Sequence, residues 1–225
     1  QIINILIFVV LSILVVAGVV FINEGRRQIT VQYARRFVGG KSGETGAQTF
    51  LPLRVNQAGV IPIIFAVSLV LVPSFAGSYL AGLPQPQLSS LGRILASNFN
   101  PGSLTYNLIY FTLVVGFTFF YTAVIFNPTK VADEIKKYGG FIPGIRPGTQ
   151  TAAFLNYIMV RITLAGAIFL GAIAVLPSIA SSVTGIQTLV LGGTGLLIVV
   201  SVILDTAKQF ESKLIERSYE VFARR

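Results

Sequence analysis

The hydrophobic positions of this chain fall into five long runs that are separated by polar segments. The runs cover residues 1–23, 56–80, 105–126, 154–176 and 188–207, and the polar segments cover 24–55, 81–104, 127–153, 177–187 and a tail at 208–225. A helix needs about 20 mostly apolar residues to cross the hydrocarbon core of a membrane. The pattern therefore predicts an all-α polytopic membrane protein with five transmembrane helices.

Composition agrees with this prediction. Apolar residues make up 53% of the chain and charged residues 11%, with a mean hydropathy of +0.78, whereas soluble domains carry about 25% charged residues. The first run is longer than the apolar core of a signal peptide, which has about 7–15 residues. We therefore expect a full membrane span there and expect that the chain is a fragment of a longer protein.

The distribution of positive charge predicts the orientation in the membrane. Of the 17 basic residues, 15 lie in the segments 24–55, 127–153 and 208–225. Because basic loops remain on the cytoplasmic side, these three segments are predicted to be cytoplasmic, with the C-terminus inside. An odd number of spans also means that a similar preceding half would be inverted, and such inverted repeats build pathways at their interface near the membrane midplane.

The residue types argue against an enzyme. The chain has no His and no Cys, which removes the commonest general base and the commonest metal ligands. It also lacks a phosphate-binding loop of the Gly-x-x-x-x-Gly-Lys type. We expect no catalytic residues, no metal and no cofactor, so any nucleotide hydrolysis would have to come from a partner.

The first cytoplasmic segment has the pattern of a β-hairpin-like arm. Residues 28–33 and 51–55 alternate between polar and apolar side chains, as a half-buried strand does, and a glycine-rich stretch at 38–46 lies between them. The alternation predicts two strands joined by a flexible tip. Near that tip, Arg35, Arg36 and Lys41 would meet an acidic surface or a nucleic-acid backbone. The alternative, that the basic residues of this segment only fix topology and hold anionic lipid headgroups, remains open.

The second cytoplasmic segment begins with helix signals. Asn127 is a suitable N-cap, Pro128 suits the first helical position, and Gly139 would end the helix. Val131 and Ile135 share one face, so we expect this helix to lie on the membrane surface.

A tight turn follows at residues 141–148, where two Pro-Gly pairs flank Arg146. Such a turn presents one guanidinium on a rigid tip, which suits a partner's carboxylate, phosphate or carbonyl. The alternative is an ordinary turn between two helices.

Two of the apolar runs contain unusual backbone residues. Gly59 and Pro62 are predicted to interrupt the second run, and glycines at 192–195 open up the fifth. Close helix packing and a moving gate explain these residues equally well. Arg161 and Asp205 are predicted to lie near the cytoplasmic ends of their spans, where they could pair. No charge falls at mid-depth in any span, which weakens the hypothesis of an ion-coupled transporter.

Several stretches between residues 53 and 198 resemble the SecY family of bacterial protein-conducting channel subunits. They are Leu53-Arg54-Val55, Asn56-Gln57-Ala58-Gly59-Val60-Ile61-Pro62, Phe119-Phe120-Tyr121-Thr122 with Phe126-Asn127-Pro128, Pro143-Gly144-Ile145-Arg146-Pro147-Gly148 and Gly192-Gly193-Thr194-Gly195-Leu196-Leu197-Ile198. The resemblance covers the whole chain and corresponds to the C-terminal half of the family, its sixth to tenth spans.

The resemblance implies a clamshell of two inverted halves around an hourglass pore that is constricted by a ring of isoleucines. By motif position, Ile64 and Ile198 would belong to that ring, and the spans 56–80 and 105–126 would form one side of a lateral gate. Gly59 and Pro62 would give the gate helix its flexibility. A dry apolar ring can fit around any polypeptide and resist ions by dewetting.

The resemblance also implies partners and a location. The partners would be the SecE and SecG subunits, the SecA motor ATPase, the ribosome through its RNA, signal sequences and nascent polypeptides, and membrane lipids. Arg35, Arg36, Lys41 and Arg146 would be the docking contacts for SecA or the ribosome, and the location would be the bacterial inner membrane. The other two hypotheses are one half of a small-solute secondary transporter and an inert membrane scaffold.

Overall fold

A computed structural model describes residues 2–33 and 48–184, and beyond them residues 195, 198–200, 202–203, 206–207, 209–210 and 213–214. The elements in chain order are α1 (Ile2–Glu24), β1 (Arg26–Tyr33), β2 (Gln48–Arg54), α2 (Ile61–Ala81), α3 (Pro86–Asn98), α4 (Leu104–Ile125), α5 (Pro128–Lys137), β3 (Gly140–Phe141) and α6 (Thr149–Thr184). Long apolar helices together with one small antiparallel sheet confirm the predicted fold class.

Three of the described helices, α2, α4 and α6, are long and apolar enough to cross a membrane. α2 has 21 residues and α4 has 22, which at 1.5 Å per residue gives each a length of about 32 Å. That length matches a hydrocarbon core of about 30 Å. α1 adds 23 residues with no charge before Glu24. The multi-pass membrane character is therefore confirmed, and the count of five spans stays a prediction.

The predicted arm is an antiparallel pair of strands. β1 pairs with β2 from Arg26 opposite Arg54 to Gln32 opposite Gln48, and β3 adds to the other edge of β1 in the order β2-β1-β3. Because side chains alternate between the two faces of a strand, Ile29, Val31 and Leu53 share one face, and all three are buried. The hairpin is confirmed over these residues, while its predicted tip at 34–47 lies outside the described residues.

The buried face of this sheet is covered by helices. β1–β3, α5 and the turn at 142–148 form one unit, which we call the sheet module. It encloses a cluster of apolar side chains with the first turns of α6: Ile29, Val31, Leu53, Ile135, Ile142, Leu155, Ile158 and Met159. The expectation that α5 lies on the membrane surface is therefore corrected. Its apolar face packs onto the sheet and α6, because an apolar sheet face must be covered by another layer.

A second core lies between α2, α4 and α6. The buried side chains recur every three or four residues along each helix, as expected for one packed helical stripe. They are Ile63, Ala66 and Val70 on α2, Tyr106, Tyr110 and Val114 on α4, and Leu170 and Ala174 on α6. α1 joins this bundle by packing Val15 and Val19 against Ile173 of α6.

The segment 81–104 contains helix α3, which the hydrophobic pattern did not predict. α3 lies against the end of α2 remote from the sheet module, with Gly77 and Gly92 at the contact. A Cβ atom on Gly92 would lie 2.2 Å from the Ala81 nitrogen, and one on Gly77 would lie 2.7 Å from the Ala96 nitrogen. Two glycines without side chains are what permits the helix backbones to approach this closely.

Gly59 and Pro62 do not interrupt α2, contrary to expectation. Gly59 has φ 64° and lies in the turn before the helix, which begins at Ile61. Pro62 lies in the first turn, where its missing N–H leaves no helical hydrogen bond unmade. The proline inside the helix is Pro73, where the ring removes one backbone donor.

Candidate functional site

The arm and α2 meet at a buried junction. Val55 donates a backbone hydrogen bond to the Gly25 carbonyl at 2.9 Å, which closes the base of the hairpin. The next residue, Asn56, donates from Nδ2 to Asn23 Oδ1 at 3.0 Å and to the Gly59 carbonyl at 3.0 Å. Both asparagines are buried. The end of α1, the base of the arm and the turn that starts α2 are therefore joined by hydrogen bonds within a few residues.

α6 packs directly against this junction. A Cβ atom on Gly166 would lie 2.9 Å from the Val55 carbonyl oxygen, and one on Gly25 would lie 3.0 Å from Val55 Cγ2. Val55 therefore fits between two glycines. This close contact fixes the base of the arm to α6 as well as to α1, so a displacement of the arm has to move Val55 relative to both helices or carry them with it.

Ile64 lies on the open face of α2. It is the fourth residue of the helix, so it lies about one turn from the start. Its neighbour Ile63 is 1% exposed within the α2–α4–α6 core, whereas Ile64 is 37% exposed. Of these two adjacent isoleucines, only Ile63 therefore faces the helical core. Ile63 is the packing residue, and Ile64 is available to line a pathway.

An aromatic cluster joins α2 to α4 beside Ile64. The ring of Phe65 lies 5.9 Å from that of Phe117 and 5.6 Å from that of Tyr121, both in tilted arrangements. Tilted aromatic pairs contribute about 0.5–1.5 kcal/mol each beyond the burial of their area. The motif at 119–122 contained Tyr121, but only the fold brings it to Phe65. These contacts hold the two predicted gate helices together along one edge.

The other predicted ring residue, Ile198, is helical and half-buried. Gly192 and Gly193 lie outside the described residues. So do Arg35, Arg36, Lys41 and Asp205, for which the predictions stand as predictions.

Arg146 is presented on a turn that the sheet module holds from both sides. Gly144 and Gly148 flank it with φ 81° and φ 106°, a backbone conformation that glycine adopts without steric cost. The Ile145 N–H donates to the Ile142 carbonyl at 3.0 Å, and Thr151 Oγ1 donates to the Arg146 carbonyl at 3.0 Å. The side chain itself is exposed. The predicted rigid presentation of one guanidinium therefore has a structural basis.

The structure brings this turn and the arm together, which the sequence did not foresee. β3, just before the turn, pairs with β1 through Gln32 opposite Phe141 and Tyr33 opposite Gly140. Two loops that lie more than a hundred residues apart thus form one surface. That surface is strongly basic, since the described part of the sheet module has seven exposed basic residues and two acidic ones: Arg26, Arg27, Arg54, Lys130, Lys136, Lys137 and Arg146 against Asp133 and Glu134.

Two cavities formed by described residues offer no acid–base chemistry. An apolar groove of about 520 Å³ between α4 and α6 is lined by Leu104, Asn107, Leu108, Phe111, Ala172, Val175, Leu176 and Ile179. A smaller cavity of about 70 Å³ near Phe126 is lined by apolar side chains with Thr122, Asn156 and Thr163. Neither contains a charged side chain, and no group of potential metal ligands occurs among the described residues.

These features define a class of protein. The chain is a multi-pass helical membrane protein in which the base of a basic arm is hydrogen-bonded to the turn before an apolar helix. That helix exposes a bulky aliphatic residue in its first turn. Solved structures with the same fold include one described as showing that the plug domain of the SecY protein stabilises the closed state of the translocation channel. It has a TM-score of 0.57 and 18% identity, and the match covers 92% of this chain and 49% of that one. Another, described as the structure of a protein-conducting channel, has a TM-score of 0.54 and 16% identity over 92% of this chain.

Sequence comparison identifies the family. Residues 1–207 match the SecY family model. The protein translocase subunit SecY of Mycobacterium leprae is 47% identical over 220 residues, which are 94% of this chain and 49% of the relative. The SecY subunits of Streptomyces scabiei and Chlamydia trachomatis are each 45% identical, and they cover 97% of this chain and 49% and 47% of their own lengths. The chain belongs to the SecY family and spans about half the length of the curated relatives it matches.

Proposed function

We propose that this chain is the C-terminal half of the central subunit of the Sec protein-conducting channel. In this role it passes unfolded secretory polypeptides across the bacterial inner membrane and releases membrane segments sideways into the bilayer. Support comes from the family membership over residues 1–207 and from the order of the motifs along the chain. The positive charge of the sheet module argues that this module and the C-terminus are cytoplasmic.

One observation carries the mechanism: a single continuous segment joins the arm to Ile64. From Val55 to Ile64 the chain passes through the Asn56 hydrogen bonds, the Gly59 turn and the first turn of α2. Force applied to the arm by a docked partner is thereby transmitted to the exposed face of α2. Ile64 and Ile198 line the constriction in this proposal, where an uncharged side chain excludes ions without binding the passing polypeptide.

The partners follow from charge and from the family. The basic surface of the sheet module, with Arg146 and the arm residues Arg35, Arg36 and Lys41, docks the SecA motor or ribosomal RNA. Contacts to RNA phosphates weaken steeply as the salt concentration rises. SecE and SecG complete the complex. The chain acts passively here, and the docked partner supplies the energy.

A crosslinking experiment tests the channel. A photoreactive residue at position 64 of the full-length subunit should crosslink to a secretory chain that is stalled in transit. Position 69 provides the control, because Leu69 is exposed on the same helix but lies about 140° around its axis from Ile64. We expect crosslinks from position 64 and few from position 69. Equal crosslinking, or none from position 64 together with transport of a small solute, would overturn the proposal.

A charge reversal tests docking separately. Arg146→Glu should reduce motor-driven secretion at least severalfold while leaving the amount of assembled complex unchanged. Lys136→Glu makes the same change of charge at another exposed site of the sheet module, and its effect should be clearly smaller. Equal effects of the two variants would mean that the overall charge, and not the guanidinium on the turn, carries the docking.

A further inference from the structure

Arg161 forms an isolated cation–π pair on the outside of α6. Its guanidinium carbon lies 4.1 Å from the centre of the Tyr157 ring, one helical turn earlier. Both side chains are exposed. An arginine stacked in this way keeps the edge of its guanidinium group, with its N–H donors, free to bind an anion. Among the described residues no carboxylate forms an ion pair with Arg161, so within this part of the chain that edge has no carboxylate opposite it.

The position of Arg161 along α6 matches a membrane boundary. The turns before it, with Leu155, Ile158 and Met159, pack into the sheet module, and residues 162–184 after it contain no charged residue. Those 23 residues extend about 34 Å at 1.5 Å per residue, close to the hydrocarbon thickness of about 30 Å. The uncharged stretch after Arg161 is thus long enough to cross the bilayer by itself, and we place the membrane boundary at Arg161, whereas the sequence pattern places the start of the span at residue 154.

The surface beyond Arg161 is apolar and continuous with it. Leu164 and Ile168 follow on the same side of the helix and are each about half exposed. Residues three, four or seven positions apart on a helix lie along one face. A cation at the boundary, followed by an apolar stripe within the bilayer, is complementary to a phospholipid. The cation matches the lipid phosphate, and the apolar stripe matches an acyl chain.

We propose that Tyr157 and Arg161 form a binding site for one anionic phospholipid of the leaflet adjoining the sheet module. The guanidinium donates two hydrogen bonds to the lipid phosphate, in the geometry that favours arginine over lysine. The Tyr157 ring holds the guanidinium plane from beneath, and an acyl chain lies along Leu164 and Ile168. This site is separate from the pathway and from the docking surface, and it does not depend on the proposed function.

Tryptophan fluorescence provides a direct test, because this chain has no tryptophan. Tyr157→Trp is introduced into the full-length protein, with any tryptophan outside this chain replaced by phenylalanine, and the protein is reconstituted into bilayers. Brominated phosphatidylglycerol or brominated phosphatidylcholine then quenches the indole by contact. At equal mole fractions we expect local enrichment of the anionic lipid by about fivefold, the factor expected of one basic residue at the membrane surface.

Three matched variants decide the outcome. Arg161→Gln in the Tyr157→Trp background should abolish the preference for phosphatidylglycerol while leaving quenching by phosphatidylcholine unchanged, which also verifies folding. Arg161→Lys should retain part of the preference. Ile179→Trp lies on the same face as Arg161, about five turns after it, with no basic residue near it along the helix, and should show no preference. Equal quenching by both lipids at position 157, or a preference that survives Arg161→Gln, would overturn the proposal.

Discussion

Asn56 donates a buried hydrogen bond to Asn23 across 33 positions of the chain, and this bond joins the end of α1 to the start of α2. Both side chains are buried amides, and at a buried site an unmade hydrogen bond costs more than a made one contributes. The bond therefore holds the base of the arm at a defined position relative to α2. Through this bond, the stability of the base of the arm and that of the start of α2 depend on each other.

The coupling is measurable with a double-mutant cycle. Asn56→Ala removes two hydrogen bonds and should lower the free energy of unfolding in mixed micelles by about 1–3 kcal/mol. Combined with Asn23→Ala, the loss should be smaller than the sum of the single losses by about 0.5–1.5 kcal/mol, because the two changes remove one shared bond. Additive losses would show that the asparagines act independently. Thr112→Ala, which removes only an exposed bond to Leu108 within one helix, is the control.

The contact between α2 and α3 predicts opposite responses from two helical glycines. Gly92→Ala places a Cβ 2.2 Å from the Ala81 nitrogen, so the helices must separate, whereas Gly116→Ala on α4 meets nothing within 4 Å. We expect Gly92→Ala to destabilise the protein by about 1–3 kcal/mol. Gly116→Ala should be neutral or stabilise it by up to about 1 kcal/mol, since alanine favours helix. Denaturant unfolding of both variants is the measurement, and similar losses for the two would contradict the close approach.

The Arg146 turn requires glycine because of the positive backbone φ angle, and not because a side chain would meet a neighbouring atom. A Cβ on Gly144 would meet nothing within 4 Å, yet its φ of 81° disfavours any other residue. Gly144→Ala should therefore cost about 1–3 kcal/mol of local strain. The readout is hydrogen exchange at the Ile145 amide, which donates to Ile142 and should exchange faster in the variant. Gly102→Ala lies in another exposed turn without positive φ, and its neighbours should keep their exchange rates.

Ile63 and Ile64 provide a matched pair for the constriction. Ile64→Asn changes an exposed side chain and should alter the free energy of unfolding by no more than about 0.5 kcal/mol, while raising ion leak through the channel. Ile63→Asn buries an amide with no partner in the α2–α4–α6 core and should destabilise by several kcal/mol. Unfolding and ion flux are measured on both variants. A large loss of stability with Ile64→Asn, without ion leak, would make Ile64 a packing residue.

Local features of the fold could be predicted because their causes are local. Asn127 was predicted to cap α5, and its Oδ1 accepts from the Thr129 and Lys130 nitrogens at 3.1 and 3.2 Å. The alternation around Ile29 and Val31 likewise predicted the strands and their buried face. In each case the interacting residues lie within a few positions of one another. The capping residue is therefore enough to predict the helix start, and the periodicity is enough to predict the strands and their buried face.

The interruption predicted at Gly59 and Pro62 shows the limit of such reasoning. Gly and Pro disfavour the interior of a helix, but both residues are tolerated where a helix begins. Only the observed start of α2 at Ile61 distinguishes the two cases. Helix α3 was missed for a related reason. Its residues have no strong apolar run, and it forms against α2 because Gly77 and Gly92 permit backbone contact.

The sequence by itself determined the membrane class, the arm, the capped helix α5 and the motifs of the family, since these depend on composition, periodicity and short-range chemistry. Only the tertiary structure decided which of two adjacent isoleucines is exposed. It also decided that the arm and the Arg146 turn share one surface, and that Asn23 meets Asn56. All three depend on contacts between residues that are distant along the chain. Such contacts are set by how helices and strands pack in space, and a local sequence pattern contains no information about that packing.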